Sequence, residues 1–363
     1  MQKKKEHSLN SMFFWQALNR KKLAQQKELS KQTELHKKIG MEVVAVVVDN
    51  NNNNKNNMSQ SSTKSSGCCG GGGGNNNNNS NNHNNNTPEN MTDDEKRQTI
   101  LEGYGAIASE PTRSCCGKNV KRDDFAMGLG YTAEDLRGLP EGANMGLSCG
   151  NPTAMASLRP GQVVLDLGSG GGFDVFIAAK QVGATGKSIG VDMTPAMVYK
   201  ARANAVKFAE RTGLNNVCDF RLGEIEHLPV ADASVDVIIS NCVINLSPCK
   251  DQVWKEIARV LKPGGKACVS DVALLRPLPD ELKASISALM GCVAGAIEVE
   301  KVVQLVQDVG MVVTQADRDE AFVHKAETSD DPLYANIMKN MPEGDRPGNY
   351  VTSLKLTATK PMD

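Results

Sequence analysis

The sequence predicts an α/β fold built on a doubly wound, mostly parallel sheet. Three observations lead there. From about Thr92 onward, short apolar segments alternate with stretches of helical periodicity. A glycine-rich turn, Gly168-Ser169-Gly170-Gly171-Gly172, follows directly on one apolar segment. Near the C-terminus, Tyr350 to Ala358 alternates as an antiparallel edge strand does.

The elements follow in order. Thr92 with Glu95 three residues later is a capping box, and it opens a helix running towards Ile107. Val163 to Leu167 and Lys187 to Val191 read as the first two strands, Val217 to Arg221 as a third and Val235 to Ile239 as a fourth. Lys266 to Ser270 is a fifth, introduced by the turn Lys262-Pro263-Gly264-Gly265. Helices are expected at Pro195 to Thr212 and Gln252 to Leu261. Residues 91–363, roughly 270 residues, suit one large α/β domain or a domain with a lobe, opened by an N-terminal helix.

Residues 1–90 read as a leader. Met1 to Gly40 is basic and rich in Gln, and Asp49 to Asn86 is dominated by Asn around the run Gly70 to Gly74. Such a tract holds too little apolar surface to offset the entropy of ordering it, so it is expected to be disordered, with Cys68 and Cys69 incidental. The formal net charge of −1 offers no electrostatic case for nucleic acid or a membrane surface. No apolar run is long enough to span a bilayer. Ten cysteines without a signal-peptide pattern suit a reducing compartment, the cytosol by default.

The glycine turn departs from the dinucleotide fingerprint, because Phe173 stands where the last glycine of G-x-G-x-x-G would be. Gly168, Ser169 and Gly170 let a ligand approach the backbone at a helix N-terminus. Asp166, inside the preceding strand, suits a ligand with a cationic amino-acid end. Asp192, with Met193 beside it, ends the second strand where a carboxylate accepts from ribose hydroxyls. Ile225 and Glu226 follow the third strand, where an adenine edge would lie, and Asn241 follows the fourth. The competing reading is a phosphate-binding or purely structural turn.

From Tyr104 to the C-terminus, including Leu261-Lys262-Pro263-Gly264-Gly265, the chain resembles class I methyltransferases. Within them it is similar to the arsenite methyltransferases in their shorter microbial form. The resemblance rests on Ser114-Cys115-Cys116-Gly117, Leu147-Ser148-Cys149-Gly150-Asn151-Pro152, Ser240-Asn241-Cys242-Val243-Ile244-Asn245-Leu246 and Gly291-Cys292-Val293-Ala294-Gly295-Ala296. It implies S-adenosylmethionine as methyl donor and trivalent arsenic as substrate, held by Cys149, Cys242 and Cys292. Thiolates are soft ligands and select soft metalloids. Arsenic on three thiolates is neutral and keeps a lone pair able to attack a sulfonium methyl. No proton leaves the attacking atom, so no general base is needed, and His227 and His324 read as surface or loop residues.

Cys292 is expected in a helix whose small neighbours admit a thiolate-bound atom. Cys218, Cys249 and Cys268 read as small packing residues, although Cys249 stands where the family usually carries an acid. Adjacent Cα atoms lie about 3.8 Å apart, too close for an unstrained disulfide between Cys115 and Cys116. One of them is instead expected to pair with Cys149 after turnover, with thioredoxin or glutathione resetting the enzyme. The alternatives are a methyltransferase for a small organic O, N or C nucleophile, and a thiol-based metal-binding or redox-sensing protein on a methyltransferase scaffold. No C-x-x-C pair follows the leader to favour structural zinc.

Overall fold

Seven strands form one sheet in a computed structural model of the protein, which describes residues 88, 90–109, 122–283, 292–319 and 344–362. They are β1 (Val163–Leu167), β2 (Lys187–Asp192), β3 (Cys218–Leu222), β4 (Val235–Asn241), β5 (Leu261–Leu274), β6 (Val312–Asp319) and β7 (Val351–Thr359), in the order β3-β2-β1-β4-β5-β7-β6. The first five run parallel, and β7 pairs antiparallel with both β5 and β6. The strand order reverses between β1 and β4. A crevice opens at the carboxyl ends of the strands at such a switch point.

The central strands are apolar runs because both faces are covered. Val164, Leu165 and Leu167 of β1 and Val235, Ile238 and Ile239 of β4 are fully buried. Helices α1 (Asp93–Ser109), α2 (Arg122–Gly128), α3 (Ala133–Leu136), α4 (Pro152–Ala156), α5 (Phe173–Val182), α6 (Pro195–Thr212), α7 (Lys250–Val260), α8 (Asp280–Lys283) and α9 (Val299–Asp308) complete the described residues. On one face Trp254 and Ile257 of α7 pack with Leu261 and Val269. On the other, Phe176 of α5 stacks near Phe208 of α6, ring centroids 4.8 Å apart, and against Phe220 at 5.6 Å.

The capping box of α1 is formed, with Thr92 N–H donating to Glu95 Oε2 at 2.7 Å and Glu95 N–H to Thr92 Oγ1 at 3.2 Å. Helix α6 has the expected bounds, and Pro195 opens it where its missing N–H costs nothing. Three elements differ from expectation. Helix α7 starts at Lys250 and stops at Val260, because Leu261 already pairs with Val235 in the sheet. Strand β5 is longer than Lys266 to Ser270: it takes in the Pro263 turn across a register shift and runs to Leu274, opposite Val351. The antiparallel edge is present, but β7 lies one strand inside it and β6 forms the rim. Strand β6 is largely exposed, so no buried face imposed an alternating pattern that could be read.

The leader with Cys68 and Cys69, the pair Cys115 and Cys116, and much of the expected C-terminal lobe, residues 284–291 and 320–343 with His324, lie outside the described residues. Among the described residues no helix is long and apolar enough to cross a membrane.

Phe208 is fully buried whereas Val206, on the same helix, is 60% exposed. Phe208→Ala is expected to cost about 3–5 kcal/mol and Val206→Ala no more than about 0.5 kcal/mol. Urea unfolding of both variants checks the contrast.

Candidate active site

A cleft opens at the carboxyl ends of β1, β2 and β4. Gly168, Gly170, Asp192, Met193, Ile225, Glu226 and Asn241 line it, as does Cys242. The turn after β1 is held in place from two sides. Gly170 N–H donates to Asp192 Oδ2 at 2.9 Å, and Thr194 N–H donates to the other oxygen at 2.8 Å. At Gly168, with φ +63°, a Cβ would lie 2.4 Å from a methyl of Val243. The absent side chain therefore lets the segment after β4 press onto the turn. Asp166 and Ser169 do not line the cleft. Asp166 is buried inside β1, and Ser169 folds over Gly190 of β2.

Asp166, Asp174 and Asp192 are buried close together, and no Lys or Arg among the described residues pairs with them. Burial raises all three, and the neighbouring Asp174 and Asp192 charges push Asp166 up further. Asp174 is pushed up to about 6, against hydrogen bonds from Tyr131 and Asn241 that pull it down. The cluster favours a cationic group at this end of the cleft.

Sequence reasoning missed one wall. Arg97, Ile100 and Tyr104 of α1 line the cleft, and their helical spacing was the available signal. Arg97 Nη2 lies 3.6 Å from Glu226, whose buried carboxylate also accepts from Ser247 Oγ at 2.7 Å.

Three cysteines remote in sequence meet at the tip of β4. Cys242 takes a left-handed backbone, φ +56°, and its N–H donates to Ser270 O of β5 at 2.8 Å. Cys149, in the loop before α4, is disulfide-bonded to Cys242, with Cα atoms 5.9 Å apart. Its N–H donates to Asn241 Oδ1 at 3.0 Å, and its carbonyl accepts from Ser353 Oγ of β7 at 3.3 Å. Cys292 is buried and left-handed, φ +65°, and its Sγ donates to the Cys242 carbonyl at 2.7 Å. The Asp271 carboxylate lies within 4.8 Å of the Cys149 and Cys242 sulfurs. Burial, then the Asp271 charge, pushes the Cys292 thiol up, while Lys250 pulls it down. Lys250 Nζ is itself held by Ser247 O at 2.8 Å and Asn245 O at 3.3 Å.

Cys149 is bonded to Cys242, whereas its expected exchange with Cys115 or Cys116 involves residues outside the described ones. One expectation needs correcting here: Cys292 sits in a turn, not a helix. The small residue Gly295 serves main-chain packing there, since a Cβ would lie 2.1 Å from the Asn245 carbonyl oxygen. Cys268 is buried at the β5–β7 pairing, and burial pushes the Cys218 thiol up to about 12, so both suit packing roles. Cys249 is buried with its Sγ 3.8 Å from Asp93 Oδ2 at the start of α1.

The family model described as a methyltransferase domain matches residues 158–310. The arsenite methyltransferase of Halobacterium salinarum is 45% identical over 242 residues, covering 63% of this chain and 60% of that protein. That of Aquipseudomonas alcaligenes is 49% identical over 144 residues, 39% of this chain and 41% of its own. Over these spans the chain is similar to the arsenite methyltransferases. It spans 60% of its halobacterial relative's length. Among solved structures, an arsenic(III) S-adenosylmethionine methyltransferase from Chlamydomonas reinhardtii shares 32% identity with a TM-score of 0.48, over 65% of this chain and 73% of that one.

The carboxylate cluster has a consequence for pH. The unfolded Asp174 carboxyl titrates near about 3.9, the folded one at about 6. Its favourable contribution is therefore present below about pH 4 and is lost as pH rises through 6. Asp174→Asn, which cannot ionise, should gain on the order of 2 kcal/mol relative to wild type between pH 4 and pH 8. Urea unfolding at both pH values measures the shift.

Proposed function

We propose that the chain transfers methyl groups from S-adenosylmethionine to trivalent arsenic held by the thiolates of Cys149, Cys242 and Cys292, giving methylated arsenicals. The observation that carries this reading is the meeting of those three cysteines beside a cleft that Cys242 itself lines.

The chain's own residues suit the methyl donor. The buried carboxylates lacking a cation favour an amino-acid ammonium, Asp192 suits ribose hydroxyls, and Ile225 and Glu226 suit an adenine edge. Gly168 and Gly170 bring the main chain up to that ligand, with Met193 and Asn241 on the cleft wall. When bound, S-adenosylmethionine supplies an electrophilic methyl on a sulfonium.

The cysteines do the rest. Each thiol that replaces a hydroxide on arsenite releases one water, and the resulting thiolate–arsenic unit keeps its lone pair. Val243 and Leu246 on the cleft wall exclude water from the transfer path. Catalysis is then mostly positioning, in line with the lack of any needed base. Arsenic binding requires that the Cys149–Cys242 disulfide first be opened to two thiols, so a thiol reductant such as thioredoxin or glutathione completes the cycle. Cys115 and Cys116 are assigned as thiols that exchange with this pair after turnover. The activity suits arsenite detoxification in the cytosol.

The test uses the purified full chain with S-adenosylmethionine, arsenite and excess thiol, with arsenic species separated chromatographically and detected by elemental mass. Methylated arsenic is expected with the wild type and only at background with Cys242→Ser and Cys292→Ser. Cys149→Ser should spare a later methyl transfer, because monomethylated arsenic has two positions left for thiolates. If the serine variants keep most of the activity, the methyl acceptor is organic and the arsenic reading fails. Replacing Cys115 and Cys116 with Ser should leave the first turnover intact and slow the ones that follow.

A further inference from the structure

Beside the thiols a chain of hydrogen bonds runs from Tyr131 through Asp174 and Asn241 to the Cys149 loop. Tyr131, three residues beyond α2, is 2% exposed and donates its phenol proton to Asp174 Oδ1 at 2.7 Å. Asp174 lies in the first turn of α5, immediately after the glycine turn. Asn241 Nδ2 lies 3.1 Å from the Tyr131 oxygen and 3.3 Å from Asp174 Oδ2, and donates to Gly150 O at 2.8 Å. Asn241 Oδ1 accepts the Cys149 N–H at 3.0 Å.

One amide thus grips the Cys149 loop at two points, a carbonyl and the adjacent N–H. Its orientation is set by what faces it: Tyr131 and Asp174 present acceptors to Nδ2, which turns Oδ1 towards Cys149. Asn241 directly precedes Cys242 in the chain, so the residue that grips Cys149 is bonded to its sulfur partner. Tyr131 is further fixed by an edge contact with Phe173, ring centroids 4.9 Å apart. The assembly begins near the helix that follows the glycine turn and ends on the main chain of Cys149.

We propose that Tyr131 and Asp174 are positioning residues that lock the Asn241 amide, and that this lock sets the effective concentration of the Cys149 thiol at Cys242. The inference rests on the thiol reading of the site given above, and deepens it. The lock favours every state in which both sulfurs are held together, whether by their own disulfide or by a shared arsenic atom. Exchange with glutathione isolates the effect. Two protein thiols and one glutathione disulfide yield the Cys149–Cys242 disulfide and two glutathione thiols, so two electrons and two protons pass to glutathione.

The experiment equilibrates the full-length protein with glutathione buffers, traps thiols by alkylation and quantifies the Cys149–Cys242 pair by peptide mass. Tyr131→Phe is expected to lower that disulfide's equilibrium constant about tenfold, equivalent to about 30 mV. Asn241→Ala should lower it at least as much, and Tyr131→Phe added to Asn241→Ala should change it less than twofold. Affinity for S-adenosylmethionine, read by calorimetry, should stay within twofold in Tyr131→Phe, because Tyr131 does not line the cleft. A folded Tyr131→Phe protein with a wild-type equilibrium constant would overturn the proposal, as would strict additivity of the two substitutions. Should Asn241→Ala not fold, the same cycle with Tyr131→Phe and Asp174→Ala decides, non-additivity supporting the lock and additivity refuting it. Neither arsenic nor the methyl donor enters the exchange assay, so its failure is distinguishable from failure of the arsenic reading.

Discussion

The site depends on the contact between Val243 and Gly168. Valine methyl groups occupy the space a side chain at Gly168 would need, and the two turns that follow β1 and β4 press together there. The contact brings Cys242 to the wall of the cleft beside the glycine turn. Any side chain at Gly168 would have to displace Val243, and with it the adjacent cysteine. The backbone at Gly168 is also left-handed, so a substitution there meets both strain and a clash. Sheet topology supplies the rest of the setting, because β1 and β4 are neighbours where the strand order reverses.

Stability is given up locally to build this arrangement. Cys242 and Cys292 both hold left-handed backbones, which cost a non-glycine residue about 1–2 kcal/mol each. Neither is β-branched, so the conformation is tolerated, and the Cys292 thiol reaches the main-chain carbonyl of Cys242. The carboxylates of Asp166, Asp174, Asp192 and Asp271 are all buried, and burial raises each one. Strain and buried charge of this sort persist only where the surrounding core over-determines the structure. Here the fully buried strands β1 and β4 and the aromatic packing of Phe176, Phe208 and Phe220 do so.

The cleft and the thiol cluster share residues through Asn241. That side chain faces the cleft, yet its amide is committed to the loop that carries Cys149. Lys250 plays a similar part on the far side, where its ammonium holds the carbonyls of Asn245 and Ser247. Asn245 in turn donates to Asp271 at 2.9 Å, and its carbonyl meets the backbone of Gly295 in the Cys292 turn. Each cysteine is thus placed by polar contacts of the segment 241–250, which follows a rigid central strand.

The sequence by itself determined the parallel core and the glycine turn. Those features are local: apolar runs buried on both faces, a capping box at Thr92, and glycines at a turn leave marks within a few residues of the chain. The rim strand β6, the wall that α1 contributes to the cleft and the turn that carries Cys292 were not legible. An exposed strand has no buried face to impose alternation, and a helix records its own periodicity but not what it will cover. Only the tertiary structure decided that Cys149 meets Cys242. Asn241, Tyr131 and Asp174 beside it stand up to 110 residues apart and interact only once the sheet has placed them. Hydrogen bonds between remote segments have no sequence period, so no reading of the chain alone could have revealed them.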